Sequence, residues 1–186
     1  MKQKTMLRWL LAIVLVLSLA SPVLAENFNV RTLKVLVLTD GVFKQDRIYQ
    51  AISNASRIME GQVYMDLEIV AVKKVHWNKK VGSRLMVQLK HKAKRFEKKY
   101  PFDVAIAYLN LPNRPFMAKC AGRYILIRST MRGSGIVTAH ELGHTFTHHR
   151  HDSIGLMAAN VAKTKNTSIQ ADRQLMWKNN RWREFY

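Results

Sequence analysis

Acidic residues are scarce in this chain: 12 aspartates and glutamates stand against 31 lysines and arginines, a formal charge of +19 over 186 residues. Such an excess favours polyanionic surroundings, such as acidic cell-surface polymers, anionic lipid or nucleic acid, and says nothing about fold. Cysteine is almost absent. Cys120 stands alone, which excludes an internal disulfide and leaves stability to core packing, a metal or both. Repeats, low-complexity tracts and an interdomain linker are also missing, so a single domain with one proper core is expected from this length.

Apolar runs long enough to cross a bilayer are lacking too. The longest, LLAIVLVLSLA at 10–20, falls short of the roughly 20 residues a span requires. Lys2, Lys4 and Arg8 precede it without an acid, and Ser21-Pro22-Val23-Leu24-Ala25 follows it. This order of charge, apolar run and small residues predicts a signal peptide over 1–25, cleaved after Ala25, with an uncleaved anchor as the alternative. No lipobox cysteine is present, which argues against a lipoprotein. Losing the three leader cations leaves +16 on residues 26–186, and an exported protein, periplasmic or extracellular, is expected.

What is present reads as alternating elements. LKVLVLTD (Leu33 to Asp40) is an apolar, β-branched run closed at Asp40-Gly41, a buried strand. Ile48, Ile52, Ala55 and Ile58 recur at helical spacing from about Phe43 to Glu60, with Gly61 as the stop. In MDLEIVAVKKVHW, Leu67, Ile69 and Ala71 alternate with Asp66, Glu68 and Val70, a second strand. From Arg84 to Tyr100, Leu85, Leu89, Ala93, Phe96 and Tyr100 form one stripe and lysines and arginines fill the rest. This is a basic amphipathic helix, read first as packed on a sheet with a solvated outer face rather than as a dedicated membrane or nucleic-acid helix. FDVAIAYLN is a third buried strand, and the loop LPNRPF cannot continue a central strand. Met117 to Gly122 is a short edge strand, Arg123 to Ser129 another strand, and a helix begins near Ile136 after Gly133-Ser134-Gly135. Thr167 and Gln170 fit a capping box opening a last helix with Leu175, Met176 and Trp177. The order predicts an α/β (α+β) domain, a mixed sheet with helices against it.

The chemistry concentrates in HELGHTFTHHRHDSIGLM, His140 to Met157. His140-Glu141-Leu142-Gly143-His144 matches H-E-x-x-H. Residues four apart on a helix share a face, so both imidazoles can reach one cation while the glutamate points near it. Zinc suits imidazole nitrogen and leaves a position for water. Glu141, outside the coordination shell, is then placed to take that water's proton. Polar groups here would be costly in a helix made close-packing by Ala139 and Gly143 unless a metal or hydrogen bonds satisfied them.

These residues resemble the metzincin metallopeptidases, in particular small bacterial matrixin-like and archaemetzincin-like catalytic domains, whose pattern is H-E-x-x-H-x-x-G-x-x-H followed by a methionine turn. The resemblance implies a zincin-like twisted sheet with an active-site helix, a methionine turn and a C-terminal helix. It implies one zinc ion, and Ile154-Gly155-Leu156-Met157-Ala158 as the turn, with Met157 in the apolar floor beneath the metal. The sequence departs from the pattern between these parts: its glycine falls on Thr147 and its third histidine on Arg150. His151, followed by Asp152, is the preferred third ligand, His149 the next, with His148 also within reach and Asp152 a remote choice. Edge-strand docking of an extended peptide is implied for Met117 to Gly122. Cys120 lies there and reads as an ordinary half-buried cysteine rather than a regulatory thiolate. No tyrosine follows Met157 closely enough for a further ligand, and little chain lies between Ala25 and the first strand for an inhibitory segment.

The expectation is an exported zinc endopeptidase, monomeric, acting on a peptide or protein, with no specific nucleic-acid partner and no lasting membrane span. The basic surface would suit acidic cell-surface polymers. Two other readings remain open: a degenerate metzincin-fold module that keeps zinc and binds polyanions, and a hydrolase of another amide, for instance in cell-wall peptides.

Overall fold

The run from Arg31 to Thr39 is apolar on both sides, and a strand of that kind must be covered on both faces. In the computed structural model, which describes residues 30–80, 84–111, 118–128, 134–147, 151 and 155–159, it is β1, the second strand of a five-stranded sheet. The elements follow as α1 (Gln45–Val63), β2 (Met65–Lys74), α2 (Leu85–Glu97), β3 (Val104–Leu109), β4 (Ala118–Ala121), β5 (Tyr124–Arg128) and α3 (Ser134–Thr147). The strand order is β2-β1-β3-β5-β4. The first four run parallel and β4 pairs antiparallel with β5 at the edge. This mixed α/β architecture is the expected one. The leader over 1–25 and the helix expected after Thr167 lie outside the described residues, and no helix among those described is long and apolar enough to cross a membrane.

Strand alternation sorts the apolar side chains into two layers. Leu33, Val35 and Val37 of β1 and Val104, Ile106 and Tyr108 of β3 face α1 and α3. Leu36, Leu38, Ala105, Ala107 and Leu109 face Leu85, Leu89 and Ala93 of α2. The histidine-bearing helix and the basic helix therefore lie on opposite faces of the sheet.

Two local readings are corrected. The even alternation expected through β2 breaks between Ile69 and Ala71, which pair with the consecutive residues Val35 and Leu36. Val70 is the extra residue of a bulge, and Ala71 consequently joins the α2 side while Ile69 faces α1 and α3. Gly61 does not end α1, which runs on to Val63 and is closed by Tyr64 at φ 55°. Tyr64 is held in this uncommon conformation from both sides: its N–H donates to Glu60 O (3.1 Å) and its carbonyl accepts from Arg31 N (2.9 Å).

Candidate metal centre

Helix α3 is buried nearly all round, from Gly135 to Phe146, with only Ser134, Ile136 and Thr145 partly open. Such a helix needs close neighbours and partners for its polar groups. Its start is Ser134 rather than Ile136, so Gly135 lies inside it. A Cβ at Gly135 would stand 2.6 Å from Asn54 Cβ and 3.1 Å from Ala51 O of α1, which is why the two helices can cross so closely there. Thr138 donates to Ser134 O (2.7 Å) and accepts from the Tyr108 hydroxyl (2.7 Å). Tyr108 is 1% exposed, and burial raises its pKa, against the opposing pull of Thr138, so it stays a neutral donor fixing α3 against β3.

One turn further along, His140, Glu141 and His144 are all buried. After the helix the chain returns at His151, which is exposed, and at a turn in which Ala158 N donates to Gly155 O (3.2 Å). Gly155 takes φ 81°, a conformation glycine adopts without penalty. The turn sets Leu156 and Met157, both 0% exposed, into the core shared with Leu142 and Phe146.

The turn also orients an imidazole. The ring nitrogen Nδ1 of His140 lies 2.7 Å from Leu156 O. A carbonyl only accepts, so Nδ1 carries the proton and Nε2 of the neutral ring presents a lone pair. Burial lowers the His140 pKa, against the raising effect of the Leu156 carbonyl, and the neighbouring His151 lowers it further. The neutral ring is the form that ligates a metal.

The Nε2 of His140 faces Nε2 of His144 at 2.9 Å. His151 completes the group: its ring is stacked on that of His140 (17° between planes) and edge-on to that of His144. One nitrogen from each of His140, His144 and His151 lies within 4.8 Å of the others. Tetrahedral zinc with nitrogen ligands holds them about 3.3 Å apart, so the donor set and its spacing fit that ion. His148, His149 and Asp152, the other sequence candidates, lie outside the described residues.

Glu141 sits one residue from His140 on the buried helix, and burial pushes its carboxyl pKa up to about 7. Cys120 on β4 is not among the clustered donors. Its thiol touches Gly122 O (3.3 Å) and Thr145 Oγ1 (3.5 Å). Burial pushes its pKa up to about 12, with Thr145 opposing and the charge of Glu141 adding. It is a neutral thiol, and with Thr145, which also donates to Gly122 O (3.3 Å), it fastens the edge strand to α3. Sequence reasoning missed the Leu156 carbonyl and the Tyr108–Thr138 bond. A backbone acceptor has no residue signature, and Tyr108 reads only as the end of an apolar strand.

The sheet is thus parallel with one antiparallel edge strand, and the three-histidine group lies beside a buried helix. No family model matches the chain, and no curated protein does. Solved structures match its fold. Archaemetzincin from Methanopyrus kandleri superposes with a TM-score of 0.55 at 13% identity, over 79% of this chain and 94% of that one. A zinc-dependent peptidase from Methanocorpusculum labreanum (strain Z) gives 0.51 at 11%, over 77% and 99%. A chain in a chaperone–substrate complex gives 0.55 at 11%, over 63% of this chain but only 23% of its own length. At such identities the likeness is one of fold.

Proposed function

We propose that this chain is an exported zinc-dependent endopeptidase in which His140, His144 and His151 hold one metal ion and Glu141 is the general base. The observation that carries the reading is the three imidazole nitrogens within 4.8 Å of one another, beside a buried carboxylate on the same helix. Zinc, when bound there, supplies a Lewis acid that polarises the scissile carbonyl and acidifies water. His140 is kept in the ligating tautomer by Leu156 O. Glu141 receives the proton as water attacks the carbonyl carbon and passes it to the departing amine nitrogen, leaving a free carboxylate and a free amine. Burial favours the acid form of Glu141, and a nearby dication favours the carboxylate, so the side chain is suited to hold and release that proton in turn. Support also comes from the zinc-dependent peptidase and archaemetzincin folds described above.

The test compares wild type with Glu141→Gln on an unstructured protein substrate, with metal content measured in both. Loss of about 10²–10⁴-fold in rate with zinc retained is expected. Equal inactivity of both proteins, each loaded with zinc, would replace the peptidase reading with that of a binding module. For the third ligand, His151→Ala should lower zinc content sharply whereas His148→Ala and His149→Ala should not.

A further inference from the structure

The back of the sheet carries a second surface. Between residues 84 and 99 seven lysines and arginines stand against one acid, Glu97, and that acid is engaged by Arg123 of the β4–β5 turn. Lys90, Lys94 and Lys98 are exposed and follow one another at single-turn intervals, with Arg84, Arg95 and Lys99 exposed beside them. From Lys90 to Lys98 the row spans about 12 Å. It widens onto the neighbouring segment, because Gln88 exchanges two hydrogen bonds with the Asn78 backbone (3.0 and 2.8 Å) and Lys73 reaches Tyr100 (2.9 Å).

Stability does not account for this pattern. Cations in the last turn, Lys94 and Arg95, complement the helix dipole. Arg84 and Lys90 stand outside that turn, no acid occupies the first turn, and like charges four apart repel.

We infer that the exposed face of α2 docks a linear acidic polymer, recognised by a row of cations. A bilayer suits the face less well. The apolar side of α2 (Leu85, Leu89, Ala93) is consumed by the core, and Val87, at 65% exposure, is its one large exposed apolar side chain. Base-stacking nucleic acid suits it less well also: Trp77 is 5% exposed beneath Lys92, and Tyr100 is half-buried and occupied by Lys73 and Lys99. The surface lies across the sheet from α3, so a docked molecule leaves the histidine group open. The inference does not depend on peptidase activity.

The experiment measures binding of the full mature chain to end-labelled inorganic polyphosphate across a salt series. Lys90→Gln/Lys94→Gln/Lys98→Gln should weaken binding about tenfold and flatten the slope of log affinity against log salt by about 2. Lys90→Arg/Lys94→Arg/Lys98→Arg should bind like wild type. Lys44→Gln/Arg47→Gln/Arg57→Gln removes equal charge from exposed positions at α1 and should change little. Equal weakening by the α1 and α2 glutamine triples would overturn the inference, since net charge alone would then explain binding. So would tighter binding to phosphatidylglycerol–phosphatidylcholine vesicles, or to a single-stranded oligonucleotide, than to polyphosphate.

Discussion

Replacing Gly135 by alanine pits two effects of comparable size against each other. Alanine in a helix interior gains about 0.8–1.0 kcal/mol over glycine, and less where the residue is in the first turn, as Gly135 is. Against this, the new methyl meets Asn54 Cβ at 2.6 Å and Ala51 O at 3.1 Å. Neither is the free end of a flexible side chain, so α1 and α3 must part. Overpacking of this kind costs about 1–3 kcal/mol, and the net expectation is a loss of about 1–2 kcal/mol. Gly61 provides the internal control: it is helical and exposed, and an added Cβ meets nothing within 4 Å. Gly61→Ala should therefore gain up to about 1 kcal/mol. Urea denaturation of both variants, with unchanged m, reads the two signs directly, and for a chain of this size each kcal/mol corresponds to about 2–4 °C in Tm. Because α3 also carries His140 and His144, Gly135→Ala should weaken zinc retention as well under the proposed metal site. Equal or greater stability of Gly135→Ala relative to Gly61→Ala would refute the close-crossing argument.

Met157→Ala removes a fully buried side chain and should cost about 2–5 kcal/mol in urea, whereas Met157→Leu should cost less than about 1.5 kcal/mol; similar costs for the two would show that the core around Met157 is loosely packed. Burial alone would raise the pKa of Asp40, but Lys79 (2.6 Å) and the N–H groups of Asn110 (2.8 Å) and Val42 (3.1 Å) outweigh it and lower the value. The folded pKa being the lower, this stabilisation is complete above the unfolded value of about 3.9 and is lost as pH falls through the folded one. Asp40→Asn should accordingly reduce stability at neutral pH and flatten the acid limb of a stability–pH profile; an unchanged acid limb would remove Asp40 from the account. With its thiol pKa near 12, the half-buried Cys120 should react with iodoacetamide at mildly alkaline pH far more slowly in the native protein than in urea, and equal rates would contradict the raised pKa.

The layers of the fold were legible because apolar runs and stripes report burial directly. LKVLVLTD could only be a strand covered on both sides, and Leu85, Leu89 and Ala93 could only face a sheet. Where the sequence misled, a tertiary contact had overridden a local preference. Gly61 resembles a helix stop, yet α1 continues because Arg31 and Glu60 hold Tyr64 in the left-handed conformation instead. The bulge at Val70 has no signature, since valine is at home in any strand. At the site, His140, Glu141 and His144 were readable because helical spacing is fixed by covalent geometry. The choice among His148, His149 and His151 was not, because it depends on how the chain leaves Thr147. His151 is the one that the described structure brings to the other two.

The three histidines are not held alike, and this bears on the proposed metal centre. His140 and His144 are fixed by a helix packed nearly all round, and the Leu156 carbonyl adds a second constraint on His140. His151, by contrast, is exposed. In the proposed metal centre the buried pair would supply preorganisation, and the exposed His151 would have the most conformational freedom to lose. Leu156 and Met157 then serve two ends through one turn: both are buried in the core, and the Leu156 carbonyl holds the His140 ring. Metal affinity should therefore follow the integrity of the turn more closely than it follows the intrinsic helicity of α3.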